Sequence, residues 1–421
     1  MKILQINAYN YIRGGSESVF KNTSSLLEAH GHEVMTYTLK WPENLPSKYS
    51  TYFPESKETR SGVLRIPRNI LTYFYNDEAA RNLDRLLREE KPDIAHVHLI
   101  WGQLTPSILP VLHRHGIPVV HTAHDYRMIC PAYSLRNGKG EICHKCADGN
   151  FMHCVIEKCN KNNRMLSAMM AAEQYYRNHR FNPSDNLDGI IYVSDFSRDT
   201  HQRLMPSLAK VPSEKIYNFS TSIATEPFAK SRVNKRISDS YYLYYGRLSH
   251  EKGLITLLKA FSDLADIKLK IMGSGPLESQ LKQFAEERAM TNVSFIGRQT
   301  GHELMEIVGQ AEFVILPSEC YENNPMTIIE PYSLGVPVIG ANIGGIPEII
   351  TPDTGLTFSS GDADSLKEAV RKSSALSDER YNELANGALQ FARNNFEPEE
   401  YYNRLIKFYT RIISSYKQKT K

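Results

Sequence analysis

Long apolar runs are missing from this 421-residue sequence, none approaching the roughly twenty residues that a membrane-spanning helix needs. The opening Met-Lys-Ile-Leu-Gln-Ile-Asn-Ala-Tyr also lacks the apolar core and cleavage site of a secretory signal, so a cytoplasmic protein is expected. Charge of one sign is scarce. The formal net charge is +3, with 27 Lys+Arg against 22 Asp+Glu in residues 1–220 and 23 against 25 in the remainder. That balance excludes the strongly basic stripe of a nucleic-acid binder, while the mild excess in the first half stays compatible with an anionic acceptor or an anionic membrane surface. A hydrophobic content of 41% and a charged content of 23% describe a globular chain, and its length implies two domains of near-equal size.

The most informative feature present is Pro-Ser-Glu-Cys-Tyr-Glu-Asn-Asn-Pro-Met-Thr-Ile-Ile-Glu-Pro, which sets Glu322 and Glu330 eight positions apart. Asn324 suits a helix N-cap and Pro325 the first helical position, where its missing N–H costs nothing. A helix is therefore expected from Pro325 to about Leu334, ended by Gly335 in the left-handed conformation. The free amides near Met326 and Thr327 would offer positive partial charge to a phosphate. A carboxylate such as Glu330 accepts two hydrogen bonds, as a ribose diol requires. The plain alternative is a surface loop and two solvated glutamates.

Three further loops of the same character surround it in sequence. Tyr241–Tyr245 reads as a buried strand running into Gly246-Arg247-Leu-Ser-His-Glu-Lys252-Gly253, which puts two cations on a strand-to-helix turn. The strand Lys268–Met272 runs into Gly273-Ser-Gly275-Pro-Leu, and Pro337–Gly340 into Ala-Asn-Ile-Gly344-Gly345-Ile-Pro347-Glu348. One such turn is weak evidence, but four at the carboxyl ends of predicted parallel strands mark the edge where open α/β sheets bind ligands.

The succession Gly-Arg-Leu-x4-Lys-Gly, Gly-x-Gly-Pro-Leu, Glu-x7-Glu and Gly-Gly-x-Pro-Glu resembles the retaining glycosyltransferases of family four, of the GT-B fold, over nearly the whole chain. The resemblance implies two Rossmann-like doubly wound domains facing across a cleft: residues 1–217 on the acceptor side, and 218–397 binding the nucleotide sugar. The amphipathic segment 398–421 would cross back to complete the first domain. It further implies a UDP- or GDP-type sugar donor and a glycan or lipid-linked glycan acceptor, as in surface polysaccharide biosynthesis. Transfer of a hexosyl or N-acetylhexosaminyl group would retain the anomeric configuration. Arg247 and Lys252 would hold the diphosphate, Glu330 the ribose and Glu322 the sugar hydroxyls, assisted by Gly246, Gly273, Gly275 and the backbone of Asn323, Asn324, Pro325 and Met326. No catalytic cofactor is expected. A nucleotide-sugar epimerase of similar fold, or a non-catalytic nucleotide-sugar scaffold, are the rival readings.

In the first half, the expected strands are Lys2–Tyr9, Glu33–Leu39, Asp93–Leu99, Pro118–Ala123 and Gly189–Val193, with helices at Glu17–His30 and Asp77–Glu90. Gly14-Gly15-Ser16-Glu17 follows the first strand and is either an anion-tolerant nest or a plain turn; the family resemblance places it near the donor's phosphates. His121-Thr-Ala-His124-Asp125 ends a strand. The resemblance puts His124 beside the transferred sugar, where Asp125 would fix its tautomer, and His96, His98 and His121 read as structural. The linker is expected at Asn218–Asp239.

Five of the six cysteines fall within residues 130–160. Cys143-His-Lys-Cys146 has the spacing of a zinc hairpin, with Cys130 and Cys159 as further thiolates of a structural zinc site, inert packing and redox chemistry being the alternatives. Cys154, His144 and His153 leave that ligand set open. The stretch Arg60–Tyr75 interleaves cations with aliphatic and aromatic residues, as a membrane-surface segment or a core helix would. Asp362-Ala-Asp364 imitates a metal-binding Asp-x-Asp, but its place before Ser-Leu-Lys-Glu-Ala-Val suits a helix cap.

Overall fold

The computed structural model describes residues 1–12, 14–57, 66–224 and 240–419, the side chains of 66–68 excepted. The chain divides into two compact units, one of residues 1–216 with 402–421 and one of residues 217–401.

The first unit holds six parallel strands: β1 (Lys2–Ile6), β2 (Glu33–Tyr37), β3 (Ile94–Val97), β4 (Val119–Ala123), β5 (Gly189–Tyr192) and β6 (Ser213–Lys215). Their order is β2-β1-β3-β4-β5-β6. Every residue of β3, β4 and β5 is buried, as expected of strands covered by helices on both faces. The helix Pro398–Lys419 supplies this unit with Leu405, Phe408, Tyr409 and Ile412, all buried. Gly189 makes room for it: a Cβ there would stand 2.9 Å from the ring of Phe408.

The second unit repeats the scheme with β7 (Tyr242–Tyr245), β8 (Leu269–Met272), β9 (Val293–Gly297), β10 (Phe313–Leu316), β11 (Val338–Ala341) and β12 (Gly355–Phe358). The order β12-β11-β10-β7-β8-β9 reverses direction between β7 and β10. Alternate residues of β7 serve two cores. Tyr242 and Tyr244 pack on one face with Leu257, Phe261 and Phe313; Leu243 and Tyr245 pack on the other with Val314, Ile328 and Tyr332.

Two expectations need correction, and two lie partly outside the described residues. The helix after β10 runs Met326–Ser333, one residue later than expected, and Pro325 itself is the extended cap residue with φ −74 and ψ 132. Asn324 does not cap it, because its side-chain oxygen instead accepts from the backbone N–H of Asn218 at 2.7 Å. The edge strand β6 carries little pattern to read: Ser213-Glu214-Lys215 has no apolar residue and is half-buried throughout. Of the expected linker, residues 225–239 lie outside the described residues, as do Arg60–Arg65 of the basic-aromatic stretch.

Candidate functional site

The reversal between β7 and β10 creates the crevice where a doubly wound sheet takes its ligand. Both flanking strands end in loops that the sequence marks. The β7 loop carries Arg247 and Lys252, and the β10 loop carries Glu322. They are joined by backbone, with the N–H of Glu319 donating to the carbonyl of Glu251 at 2.9 Å. Gly253 permits this approach. It is left-handed (φ 68), and a Cβ there would stand 1.8 Å from the carbonyl oxygen of Pro317. Leu254–Ser262 then forms the following helix.

Lys252 and Glu322 consequently meet, the ammonium lying 2.5 Å from Oε1 of the carboxylate. Ser318 Oγ donates to the same oxygen at 2.8 Å. Burial pulls the Lys252 ammonium down, but the adjacent Glu322 charge more than offsets it, and the net shift is upward, so Lys252 is a fixed cation at neutral pH. One of its three hydrogens is taken by Glu322, leaving two donors for further acceptors. The Gly344–Gly345 turn after β11 closes on Glu322: Gly345 N–H donates to the Glu322 carbonyl at 2.7 Å, and a Cβ on Gly344 would stand 2.5 Å from that oxygen.

Glu330 lies on the second turn of the helix Met326–Ser333, half-buried, where Oε2 accepts from the hydroxyl of Tyr245 at 2.8 Å. Burial pushes its carboxyl up, and the Tyr245 bond pulls the other way. Tyr245 escaped the sequence reading, although its place as the last residue of β7, one strand from β10, is the signal that locates it. At the helix start the amides of Met326 and Thr327 precede the first intrahelical donor, Ile328 N–H, which bonds the Pro325 carbonyl at 3.0 Å. Asn324 is buried, its Nδ2 without a partner among the described residues. The Asn324 amide and the helix-start N–H groups are donors that an anion or a hydroxyl can take. The loop after β8 completes the set, since Gly273 and Gly275 let it lie against the backbone of Gly246 and Leu248. Arg247 is exposed.

In the first unit, Gly14 is the extended cap (φ −166) of the helix Gly15–Ala29, whose first turn carries the buried Glu17. The carboxylate on that turn already sits near the positive helix end. His124 follows β4 and is held by a neighbour that was read as structural: its Nε2 lies 2.8 Å from Nδ1 of His98. Asp125, expected to orient it, accepts instead from the backbone N–H of Arg127 at 2.9 Å. The chain continues inward, with His98 Nε2 at 3.1 Å from Oε1 of Gln5 and Tyr409 OH at 2.6 Å from Nδ1 of His96. Burial lowers His124 to about 4, so the ring is neutral at physiological pH.

The five clustered cysteines are free and line one small cavity. Among the described residues no three His, Cys, Asp or Glu side chains surround a point closely enough to hold a metal ion as they stand. Asp362 caps the helix Ala363–Ser374, accepting from the amides of Asp364 and Ser365. No described helix is long and apolar enough to cross a membrane.

Residues 13–219 match the family model described as Glycosyltransferase Family 4, and residues 226–391 that described as Glycosyl transferases group 1. A GDP-mannose-dependent monoacylated alpha-(1-6)-phosphatidylinositol monomannoside mannosyltransferase of Corynebacterium glutamicum is 33% identical over 134 residues, 30% of this chain and 35% of that protein. A putative teichuronic acid biosynthesis glycosyltransferase of Bacillus subtilis is 28% identical over 159 residues, 38% of this chain and 39% of that protein. The chain thus spans well under half the length of these curated relatives. Among solved structures, sucrose-phosphate synthase of Thermosynechococcus elongatus superposes with a TM-score of 0.70 at 17% identity, covering 98% of this chain and 99% of that one. An Anabaena protein in complex with UDP and glucose gives 0.62 at 15% identity, covering 97% and 99%. Both are similar in fold.

Proposed function

The chain belongs to glycosyltransferase family four, of the GT-B fold, and from that premise we propose that it moves a hexosyl-type sugar from a nucleoside diphosphate sugar to a lipid-linked glycan with retention of anomeric configuration. One observation carries the donor half of this reading: Lys252 and Glu322 pair at 2.5 Å where the second sheet reverses, beside the Glu330–Tyr245 bond. A fixed cation, a helix start with open amides and a carboxylate acceptor are the complement of a diphosphate, its phosphoryl oxygens and a ribose diol. Lys252 would take the diphosphate with its two remaining hydrogens. Glu322 would accept from sugar hydroxyls, and Glu330 from the ribose.

As the bond from the anomeric carbon to the phosphate oxygen breaks, its electron pair stays on the diphosphate. Lys252, Arg247 and the amides from Asn323 to Met326 stabilise that charge, and the acceptor hydroxyl delivers its proton to the departing phosphate as its oxygen attacks the same face. No carboxylate nucleophile is needed. His124, neutral and with its Nε2 hydrogen given to His98, has an unprotonated Nδ1. It would accept a hydrogen bond from a hydroxyl of the transferred sugar rather than donate one to the phosphate.

Two things support the lipid-linked acceptor. The Corynebacterium relative is named for a phosphatidylinositol mannoside. The helix Ile66–Phe74 also presents Ile70 and Leu71 to solvent, Leu71 at 71% exposure, with Tyr75 just beyond. Exposed aliphatics on an amphipathic helix are costly in water and stable in a bilayer interface. The decisive experiment incubates the protein with a panel of UDP and GDP sugars, with and without lipid-linked glycans, and measures nucleotide release with product mass. Release that depends on acceptor supports transfer. Sugar isomerisation without acceptor identifies an epimerase, and binding without turnover a scaffold.

A further inference from the structure

The sequence holds two tryptophans, and the fold sets both at the carboxyl edge of the first sheet, Trp41 in the loop after β2 and Trp101 in the loop after β3. Both indole nitrogens are buried with no hydrogen-bond partner among the described residues. Their rings are used differently. Trp101 is occupied inside the protein, with the Arg177 guanidinium 4.7 Å from its ring centre and His121 edge-on at 5.6 Å. Trp41 is half-buried, and its inward part is the polar end. A partly exposed tryptophan ordinarily keeps its N–H toward water or a partner. Here the fold forgoes that hydrogen bond, and the surface that Trp41 leaves to solvent is carbon.

Trp41 belongs to an aromatic group built from two strand ends. Tyr11, in the loop after β1, lies with its ring within 8° of parallel to the indole, the centroids 6.4 Å apart. Tyr9 stands edge-on to both, 5.8 Å from Tyr11 and 5.3 Å from Trp41, and is itself buried. Its hydroxyl accepts from Gln103 Nε2 at 3.2 Å, which ties the group to the loop after β3. The β1 and β2 loops are clasped beside the rings. Asn10 N–H donates to Asn44 Oδ1 at 2.9 Å, Leu45 N–H to the Asn10 carbonyl at 2.9 Å, and Asn44 Nδ2 to the Leu39 carbonyl at 2.7 Å. These bonds set the attitude of the rings before any ligand arrives. Tyr11 is half-buried and its hydroxyl makes no hydrogen bond among the described residues, while Ile12 and Leu45 extend the apolar surface as exposed side chains.

We propose that Tyr11 and Trp41 form a stacking platform for a pyranose ring of the acceptor glycan, at a subsite remote from the reacting sugar; the word acceptor rests on the transferase reading above. The C–H face of a pyranose is apolar and packs on an aromatic face, while its hydroxyls seek partners such as the open Tyr11 hydroxyl. The order β2-β1-β3-β4 places the platform in line with His124, which follows β4. From β2 to β4 are three strand spacings, ~14 Å at ~4.8 Å each. A short oligosaccharide spans that length and a single sugar does not, so the platform would read the glycan behind its reacting end. Charge favours a sugar here over an anionic bilayer. Lys40 is paired with Glu55 at 2.9 Å and Lys48 with Glu33 at 3.6 Å, which leaves Glu43 exposed in the same loop. Among the described residues this loop offers no free cation for an anionic lipid.

The test reads binding apart from turnover. Trisaccharides of glucose, mannose, galactose and N-acetylglucosamine are titrated into the full chain while its tryptophan emission is followed, and saturation-transfer NMR records which sugar protons lie against aromatic rings. At least one trisaccharide should change the emission, with transfer concentrated on the C–H protons of one pyranose face. Trp41→Ala and Tyr11→Ala should each weaken that binding about tenfold, and Trp41→Tyr should keep most of it. Binding of UDP or GDP, followed by calorimetry, should not change in any of the three. Should Trp41→Ala fail to fold, the NMR contacts of the unmodified chain decide. Trisaccharide binding without turnover would keep the platform and remove the transferase reading. Turnover with an unchanged acceptor KM in Trp41→Ala would keep the transferase and overturn the platform. So would the absence of binding by every trisaccharide, wild-type binding in folded Trp41→Ala, or emission that responds to vesicles of anionic lipid and to no sugar.

Discussion

The hydrogen in the 2.8 Å contact between His98 Nδ1 and His124 Nε2 belongs to His124. Gln5 decides this. Its amide oxygen can only accept, so His98 must present Nε2–H to it at 3.1 Å and keep Nδ1 as a lone pair. A ring at the end of β4 therefore has its tautomer set by a glutamine on β1. Replacing Gln5 with Leu should free the tautomer, lowering kcat about tenfold and stability by ~1–3 kcal/mol through the unpaired buried imidazole. Gln5→Glu keeps an acceptor and should restore most of kcat while shifting the pH profile. Long-range proton–nitrogen NMR of the His124 ring reads the tautomer directly, and an unchanged tautomer in Gln5→Leu would refute the assignment.

Lys252→Ala should keep the fold and lower kcat by about a hundredfold to a thousandfold, because one donor to a developing charge is lost. Glu330→Ala should mainly raise the donor KM. Tyr245→Phe, which removes the 2.8 Å bond to Glu330, should raise that KM by about tenfold and make it climb further as pH falls. The sign follows from the raised Glu330 carboxyl: without the tyrosine it protonates at higher pH and loses an acceptor. Steady-state kinetics from neutral to mildly acid pH decide the matter. Wild-type parameters in these variants would remove the site from this edge of the sheet.

The first unit should be acid-labile well above the carboxylate range. Burial lowers His121 to about 3 and His124 and His201 to about 4, while the unfolded chain binds protons near 6.5. The unfolded state therefore takes up more protons, and stability present above pH ~6.5 is lost as pH falls toward ~4, at ~1.4 kcal/mol per pH unit for each imidazole. Denaturant midpoints across that window should fall steadily. A flat profile would mean these rings are not buried and neutral.

Transfer should run without a catalytic divalent ion and with retention. Lys252, Arg247 and the helix amides near Met326 supply the positive field that magnesium or manganese supplies elsewhere. An assay in excess chelator, with the anomeric proton coupling of the product, addresses both claims. Activity abolished by chelator and restored by magnesium defeats the first, and an inverted product the second.

Binding to vesicles of anionic lipid should be measurable at low salt and decline as ionic strength passes ~0.1 M, where charges are screened over roughly 10 Å. Leu71→Asp should weaken it at all salt concentrations by removing the most exposed aliphatic among the described side chains of that helix. Absence of recruitment at low salt would favour a soluble acceptor.

What the sequence disclosed depended on whether a signal was local. The glycine turns and Glu-x7-Glu were legible because each loop's chemistry is written in consecutive residues, and the central strand β10 because burial on both faces makes it continuously apolar. Edge strand β6 had no such marker. Asn324 misled because capping propensity is local, while its actual partner, Asn218, is 106 residues away. His98 was read only as structural and Gln5 was not read at all, for the same reason: adjacent strands, not adjacent residues, link Gln5 to His98 and His98 to His124.

The helix that packs Tyr409 against His96 has a consequence for the order of synthesis. The first unit includes residues 402–421, and the whole of the second, 217–401, lies between its two pieces in sequence. A nascent chain emerging from the ribosome therefore releases all six strands of the first sheet long before the helix that covers Gly189. Until it arrives, the face of β5 that meets Phe408 and Ile412 is uncovered and the buried histidine ladder lacks one end. The half of the molecule translated first is thus the half finished last.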